Sequence, residues 1–377
     1  ADPEAMTMPD IPETMRAVHL TGHGGLERLV FRDDVPVPSP APDEVLIEVG
    51  ACGMNNTDIN TRIGWYSKAV TEGTTADAGA AGFGETRGVD STWGRAGLAF
   101  PRIQGADVIG RIVAVGDGVS RDRMGERVLV DPWMRDATEP DKRELAGYFG
   151  SERDGGYAEY TTAPAVNAFP IQSDLADPDL ATFPCSYSTA EYMLTRARLA
   201  DGETVLITGA SGGVGSALVQ LAKRRGATVI AVAGRSKMAA VEGLGADAVI
   251  PRETDDLAAA VRDAAPRGEV DVAADIVGGD GFPGLLDALA RGGRYITSGA
   301  IAGPMVALDL RTLYLKDLEV LGATVMPRDI FPKLVGYIER GEVRPLLAKT
   351  FPLAAIRDAQ AEFLEKKHVG NFVILPG

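Results

Sequence analysis

The stretch 208–216, TGASGGVGS, decides the fold. It follows the β-branched run 203–208, ETVLIT, and opens the run 214–226, VGSALVQLAKRRG, where Val214, Leu218, Leu221 and Ala222 share one helical face. Glycine is required where a Cβ would block an approaching pyrophosphate and where a helix packs tightly on a strand. The helix N-terminus adds favourable partial positive charge. Ala210, Ser211, Gly212, Gly213, Val214 and Gly215 meet these needs, with Ala210 replacing the usual first glycine. Set between strand and helix, the turn predicts dinucleotide binding.

Working outward, strand-like runs continue at 227–234, 270–277, 293–299 and 317–323, with helical stretches between them. Alternation of this kind predicts a doubly wound parallel sheet, a Rossmann domain with helices on both faces. Two amphipathic helices are expected at 328–340 and 354–366, then a last strand at 370–375. Upstream, the runs 15–20, 44–51, 108–116 and 126–131 are short strands separated by Gly, Pro and Asp. The segment 67–100 breaks that pattern. It is rich in Gly, Ala and Thr without periodicity, and reads as a long loop, either an inert insertion or a cover over a site.

The 377 residues are enough for two domains. A net charge of −15 and a pI of about 4.8 argue against nucleic acid or an anionic membrane as partner and leave a small molecule. Two cysteines, Cys52 and Cys185, form no disulfide framework, so a reducing cytoplasm is expected. The opening residues have no basic start and no apolar run of signal-peptide length, and no apolar run is long enough for a membrane helix.

The end of the second Rossmann strand separates NAD from NADP. An NAD site places Asp or Glu there for the ribose 2′-hydroxyl. Here Gly234, Arg235, Ser236 and Lys237 follow the strand, and the two cations suit a 2′-phosphate. The expected cofactor is NADPH. A short-chain dehydrogenase shares the TGxxxGxG turn, but no tyrosine here is followed four residues later by lysine, and the turn stands past the middle of the chain.

From about 15 to 377 the chain resembles the medium-chain dehydrogenase/reductase superfamily, in its zinc-free, quinone oxidoreductase-like branch. The resemblance rests on AVHLTGHGG (17–25), GMNNTD (53–58), GERVLV (125–130), GGYAEY (155–160), GASGGVGS (209–216), GGRYITSG (292–299) and GNFVILPG (370–377). It implies an α/β molecule: a central Rossmann domain at 181–326, and a mostly β GroES-like catalytic domain built from 15–180 with 327–377. It also implies a homodimer, and it adds Thr189, Val277, Ser298, Gly299 and Asn371 to the nucleotide contacts.

Zinc-dependent relatives take their first ligand from a Gly-x-Cys-x-x-Asp pattern. Here Gly53 and Asp58 keep the spacing while Asn55 stands at the cysteine position. The Gly-His-Glu motif becomes Gly105, Ala106 and Asp107, and only Cys185 retains a ligand type. The stretch 131–153, which would carry four cysteines for a structural zinc, has none, and His19, His23 and His368 lack ligand spacing. One soft ligand does not hold catalytic zinc, which needs three protein ligands and water. No metal is expected, and Cys185 reads as a packed small side chain. In quinone oxidoreductase relatives the corresponding Asn, Asp and Tyr line the nicotinamide pocket, which implies site roles for Asn55, Asp58 and Tyr66. Asp58 would fix its neighbours, and Tyr66 would donate a proton. A further pocket tyrosine of those relatives is replaced by Asn60, and Arg62 reads as solvated or at the site. Without a Lewis acid, hydride transfer suits a quinone or an α,β-unsaturated carbonyl. An alcohol or aldehyde dehydrogenase and a non-catalytic NADPH-binding sensor are the alternatives.

Overall fold

The structure is a computed structural model that describes residues 10–83, 92–93 and 97–377. The remainder of the 67–100 segment lies outside the described residues. The nucleotide unit is built on a six-stranded sheet. Its order from one edge is Ala248–Pro251, Thr228–Ala233, Thr204–Ile207, Val270–Asp275, Leu289–Thr297 and Glu319–Gly322, every neighbour parallel. The central strands are apolar throughout because both faces are covered. Val205 and Ile207 point into one core, with Leu218 and Leu221 of the helix Gly213–Arg224. Leu206 points into the other, with Phe282 and Leu285 of the helix Phe282–Ala288. The sheet order reverses direction at Thr204–Ile207, and the glycine turn lies at the carboxyl end of that strand, where such sheets bind ligands.

The second unit is a seven-stranded sheet in the order Leu347–Pro352, Asn371–Leu375, Glu44–Met54, Asp107–Val115, Arg127–Val130 and Ala168–Pro170, with Tyr160–Pro164 also pairing with Glu44–Met54. Both ends of the chain therefore build it. The register sets Phe372 opposite Met54 and Ile374 opposite Cys52, which carries Asn371 to the start of the helix Asn56–Ile63. The helix Ile330–Glu339 packs on the helix Pro184–Arg196, and its Phe331 also meets Phe169 of the β unit at 5.3 Å.

Two expectations are corrected here. The 67–100 segment is not wholly loop. Ala76–Ala81 is a helix, and the Thr75 hydroxyl accepts from the Ala78 N–H at 3.1 Å. Its alanines favour helix, but six residues are too few to display a period. Arg62 is neither solvated nor at the site. It is fully buried and donates to Gln360 Oε1, Gly24 O and Gly79 O at 2.9, 2.9 and 2.6 Å, pinning the inserted helix to the body of the domain. Burial pulls its pKa down to about 10.

Candidate active site

The nucleotide side is made largely of backbone. A Cβ on Gly215 would lie 2.0 Å from Gly209 O, so the helix closes onto the turn only with glycine there. A Cβ on Gly212 would meet nothing closer than 3.5 Å, which leaves that face open toward a ligand. Ala210 is buried and its N–H bonds Val232 O at 3.1 Å, while Ser211 O accepts from Gly370 N at 3.0 Å. Val214 packs partly buried on the core. Val277, Ser298 and Gly299 stand at the same end of the sheet. The Val277 N–H is held by the buried Asp275 at 2.9 Å, and Gly299 O accepts from Thr297 Oγ1 at 2.9 Å.

Asn371 reaches the turn from the other unit. Its Oδ1 would be 2.5 Å from a Cβ on Gly213, and its buried Nδ2 has no hydrogen-bond partner among the described residues. An orphaned donor beside a phosphate-shaped turn fits a dinucleotide. Beyond the turn, a cavity of about 490 Å³ is lined by Ser211, Gly234, Arg235, Ser236 and Lys237 together with Arg252 and Lys366. Nothing local in the sequence marks Lys366. It stands in a charged run, and only the fold brings it beside Lys237. It takes a left-handed φ of 54°, and its ammonium donates to Asn56 Oδ1 at 2.7 Å. Burial, with Lys237 nearby, pulls it down to about 7. The cavity also holds Glu253 and Glu365 at its rim, the latter paired with Lys367 at 2.8 Å.

The substrate side begins at Asn55, which caps the helix Asn56–Ile63. Both ends of its amide are engaged. Nδ2 donates to Asp107 Oδ2 at 2.9 Å, and Oδ1 lies 3.3 Å from Ser186 Oγ. Ser186 Oγ is also 3.1 Å from Asn371 Oδ1, so one polar chain joins Asn55 to the nucleotide turn. Asp58 is buried and accepts from Asn55 N at 2.8 Å and Tyr157 OH at 2.9 Å. Burial raises Asp58 to about 6 and Asp107 to about 7. Asp107 also receives the Cys185 N–H at 2.8 Å. The sequence displayed Asp107 only as the residue beside a missing histidine, and nothing local marked Ser186.

Tyr66 lies half-buried, its hydroxyl 3.1 Å from Thr57 Oγ1. Burial pushes that hydroxyl up to about 12. Its ring meets Trp93 at 4.8 Å, and Trp93 meets Tyr148 at 5.0 Å and Trp133 at 5.7 Å. The Trp93 indole N–H donates to Thr324 Oγ1 at 3.0 Å, and Thr74 N donates to Ile301 O at 2.9 Å. The inserted segment thus bonds twice to the loops of the nucleotide unit. Cys185 sits beneath, with Tyr148 and Thr189 as hydroxyl partners, and burial raises its thiol well above the usual range. Among the described residues no three His, Cys, Asp or Glu side chains are grouped to hold a metal ion. Of the positions that carry zinc ligands in relatives, Asn55 is spent on Asp107 and Ser186, and Ala106 has no donor atom. This donor set does not fit catalytic zinc.

The fold and this site together define a class. Residues 41–173 match the alcohol dehydrogenase GroES-like domain, and 213–340 match the zinc-binding dehydrogenase family. A crystal structure of a predicted alcohol dehydrogenase from Sinorhizobium meliloti 1021 is 53% identical and superposes with a TM-score of 0.88, covering 98% of this chain and 99% of its own. The chain is 28% identical to the quinone oxidoreductase of Rattus norvegicus, over 96% of this chain and 98% of that one. It is also 28% identical to a Streptomyces 2-octenoyl-CoA carboxylase reductase solved with NADP and 2-octenoyl-CoA, with a TM-score of 0.81 over 97% and 88% of the two chains. The chain belongs to the medium-chain dehydrogenase/reductase superfamily and is an NAD(P)-dependent oxidoreductase. Among the described residues no helix is long and apolar enough to cross a membrane.

Proposed function

We propose that this chain is a zinc-independent, NADPH-dependent reductase of quinones or α,β-unsaturated carbonyls. The observation that carries the reading is Tyr66, a hydroxyl kept protonated by burial and set against an aromatic wall. The hydride would come from the nicotinamide of NADPH held at the glycine turn. Tyr66 then meets the negative charge that develops on the acceptor oxygen, and its proton goes to the enolate or hydroquinone oxygen. One such donor is worth about 2.7–4 kcal/mol at the barrier. Thr57 orients the phenol, and Trp93, Trp133 and Tyr148 keep water from the acceptor. Asn55 and Asp58 position the helix that carries Thr57 rather than touch the acceptor.

Arg235 and Lys237, joined by Arg252 and Lys366, support NADPH over NADH. Thr189, Ser298, Gly299 and Asn371 would hold the nicotinamide half. The working domain limits are 15–180 with 327–377, and 181–326, in a cytoplasmic protein. A homodimer is favoured by the exposed Met305, Leu310, Tyr314, Leu315 and Val320 beside the edge strand Glu319–Gly322.

The deciding experiment is NADPH and NADH oxidation against quinones, enones, aldehydes and ketones, with metal analysis of the same sample. Turnover of conjugated acceptors by metal-free protein is expected. Stoichiometric zinc with chelator-sensitive alcohol oxidation would replace the reading by an alcohol dehydrogenase, and tight NADPH binding without any turnover by a sensor. Lys366→Met should raise the Michaelis constant for NADPH about tenfold and leave that for NADH in place. Equal changes for both would remove Lys366 from phosphate recognition.

A further inference from the structure

We propose that the acceptor carries an oxyanion, a carboxylate or a phosphate, and that Arg135, Arg143 and Arg328 bind it at the outer rim of the aromatic wall. The inference rests on the reductase reading for the position of the reacting carbon, and on the following geometry for the rim.

The strand Trp133–Met134 pairs with Gly147–Tyr148, and the Trp133 and Tyr148 rings stand 4.8 Å apart as part of the wall around Tyr66 and Trp93. Arg135 is the next residue after that strand. Its guanidinium donates to Met326 O, two residues beyond Thr324, which receives the Trp93 indole. The short segment 324–328 therefore ties down both the wall and the first arginine. Arg328 ends the segment, exposed. Arg143 donates to Tyr192 OH at 3.1 Å, with its guanidinium 5.9 Å from that ring.

Among the described residues none of the three arginines has a carboxylate within salt-bridge distance, although the chain carries 53 acidic residues against 38 basic ones. Arg135 Nε is buried with no hydrogen-bond partner among the described residues. Burial depresses the Arg135 guanidinium. The strongest charge acting on it is the opposing one of Asp131, which accepts from the Trp133 N–H and forms no salt bridge with Arg135, and Arg143 and Arg328 come next. Three neighbouring acids are engaged elsewhere. Glu139 pairs with Lys142, Asp329 with Lys333, and Asp136 accepts from its own turn at Thr138 and Glu139. A part-buried guanidinium with an unused N–H is costly, and a planar oxyanion satisfies it with charge-assisted bonds. An acceptor whose conjugated carbon lies at Tyr66 would run its tail past Trp133 and set its oxyanion among these arginines.

The test uses the exposed members, in Arg143→Glu and Arg328→Glu, with thermal unfolding to confirm that the fold survives. The first readout is the ratio of kcat/KM for an anionic enone to that for a neutral enone of matched reactivity. The ratio should fall at least tenfold in each variant, and an unchanged ratio would overturn the proposal. The second readout is calorimetric titration of NADP⁺-saturated protein with coenzyme A and, separately, with glutarate. At least one should bind, more weakly at higher salt and at least tenfold more weakly in the variants. Binding of coenzyme A alone assigns a phosphate, and of glutarate alone a carboxylate. Binding of neither, or binding that ignores the substitutions, would overturn the site. If no acceptor of any kind is reduced, the reductase reading falls while the titration still decides the anion site.

Discussion

The nucleotide side and the substrate side of this molecule are built from different material. The first is a backbone construction on one continuous strand, turn and helix, completed by a few side chains from the far end of the chain. The second is assembled from side chains at 55–66, 93, 133–148, 185–189 and 324, brought together by two sheets and the crossing between them. A backbone site tolerates changes of side chain and fails on the addition of a Cβ. A side-chain site fails one function at a time.

The largest effect expected from that contrast is at Gly215. Gly215→Ala places a methyl 2.0 Å from Gly209 O and forces the turn apart. It should abolish measurable NADPH binding and destabilise the fold by about 1–3 kcal/mol. Gly212→Ala is the sharpening control, because its methyl meets no protein atom closer than 3.5 Å. The melting temperature should hold while NADPH fluorescence titration shows weakened binding. Equal melting losses in the two variants would mean that both glycines serve packing, and the turn would lose its claim as a phosphate cradle.

The same contrast explains what could be read in advance. The glycine turn, the alternation of strand and helix and the cations at Arg235 and Lys237 are local in sequence, so their physics is visible in a short window. The roles of Ser186 and Lys366 are not, because each depends on a partner more than a hundred residues away, and Trp133 joins the site only through Trp93 and Tyr148 on other segments. Arg62 shows the limit most plainly. An arginine on a short helix reads as solvated until Gly24, Gly79 and Gln360 are seen to surround it. Trp93 stands in a segment without periodicity, and its stacking on Tyr66, Trp133 and Tyr148, with its indole bond to Thr324, connects it to the site.

Next in size is the loss of a single function on the substrate side. Tyr66→Phe removes one hydroxyl and leaves the ring against Trp93. Turnover should fall about 10²–10³-fold with NADPH affinity unchanged, as expected for a donor acting on the developing oxyanion. A matching loss of NADPH affinity would instead place Tyr66 in the nucleotide cradle, and unchanged turnover would remove it from the mechanism.

The smallest effect concerns the buried acids beneath both sides. Asp58 has its pKa raised to about 6 by burial, against about 3.9 for an unfolded aspartate. The folded protein therefore binds more protons than the unfolded chain between those values, and its stability declines as pH rises through that window. Two pH units correspond to about 3 kcal/mol, most of it lost between pH 4 and pH 6. Asp58→Asn carries no charge at any pH in the range. It retains an acceptor for Asn55 N–H and Tyr157 OH, while its amide replaces one carboxylate oxygen and costs a fixed amount. The stability advantage of the natural protein over the variant should thus be greatest near pH 4 and shrink by about 3 kcal/mol toward pH 7 in denaturant titrations. Asp107, raised to about 7 by burial and to a lesser degree by the charge on Asp58, should titrate lower in the variant because its like-charged neighbour is gone. A stability difference that stays constant from pH 4 to pH 7 would mean that Asp58 is ionised throughout. Solvent would then reach the base of the helix that carries Thr57, and the dry setting claimed for the substrate side would fail with it.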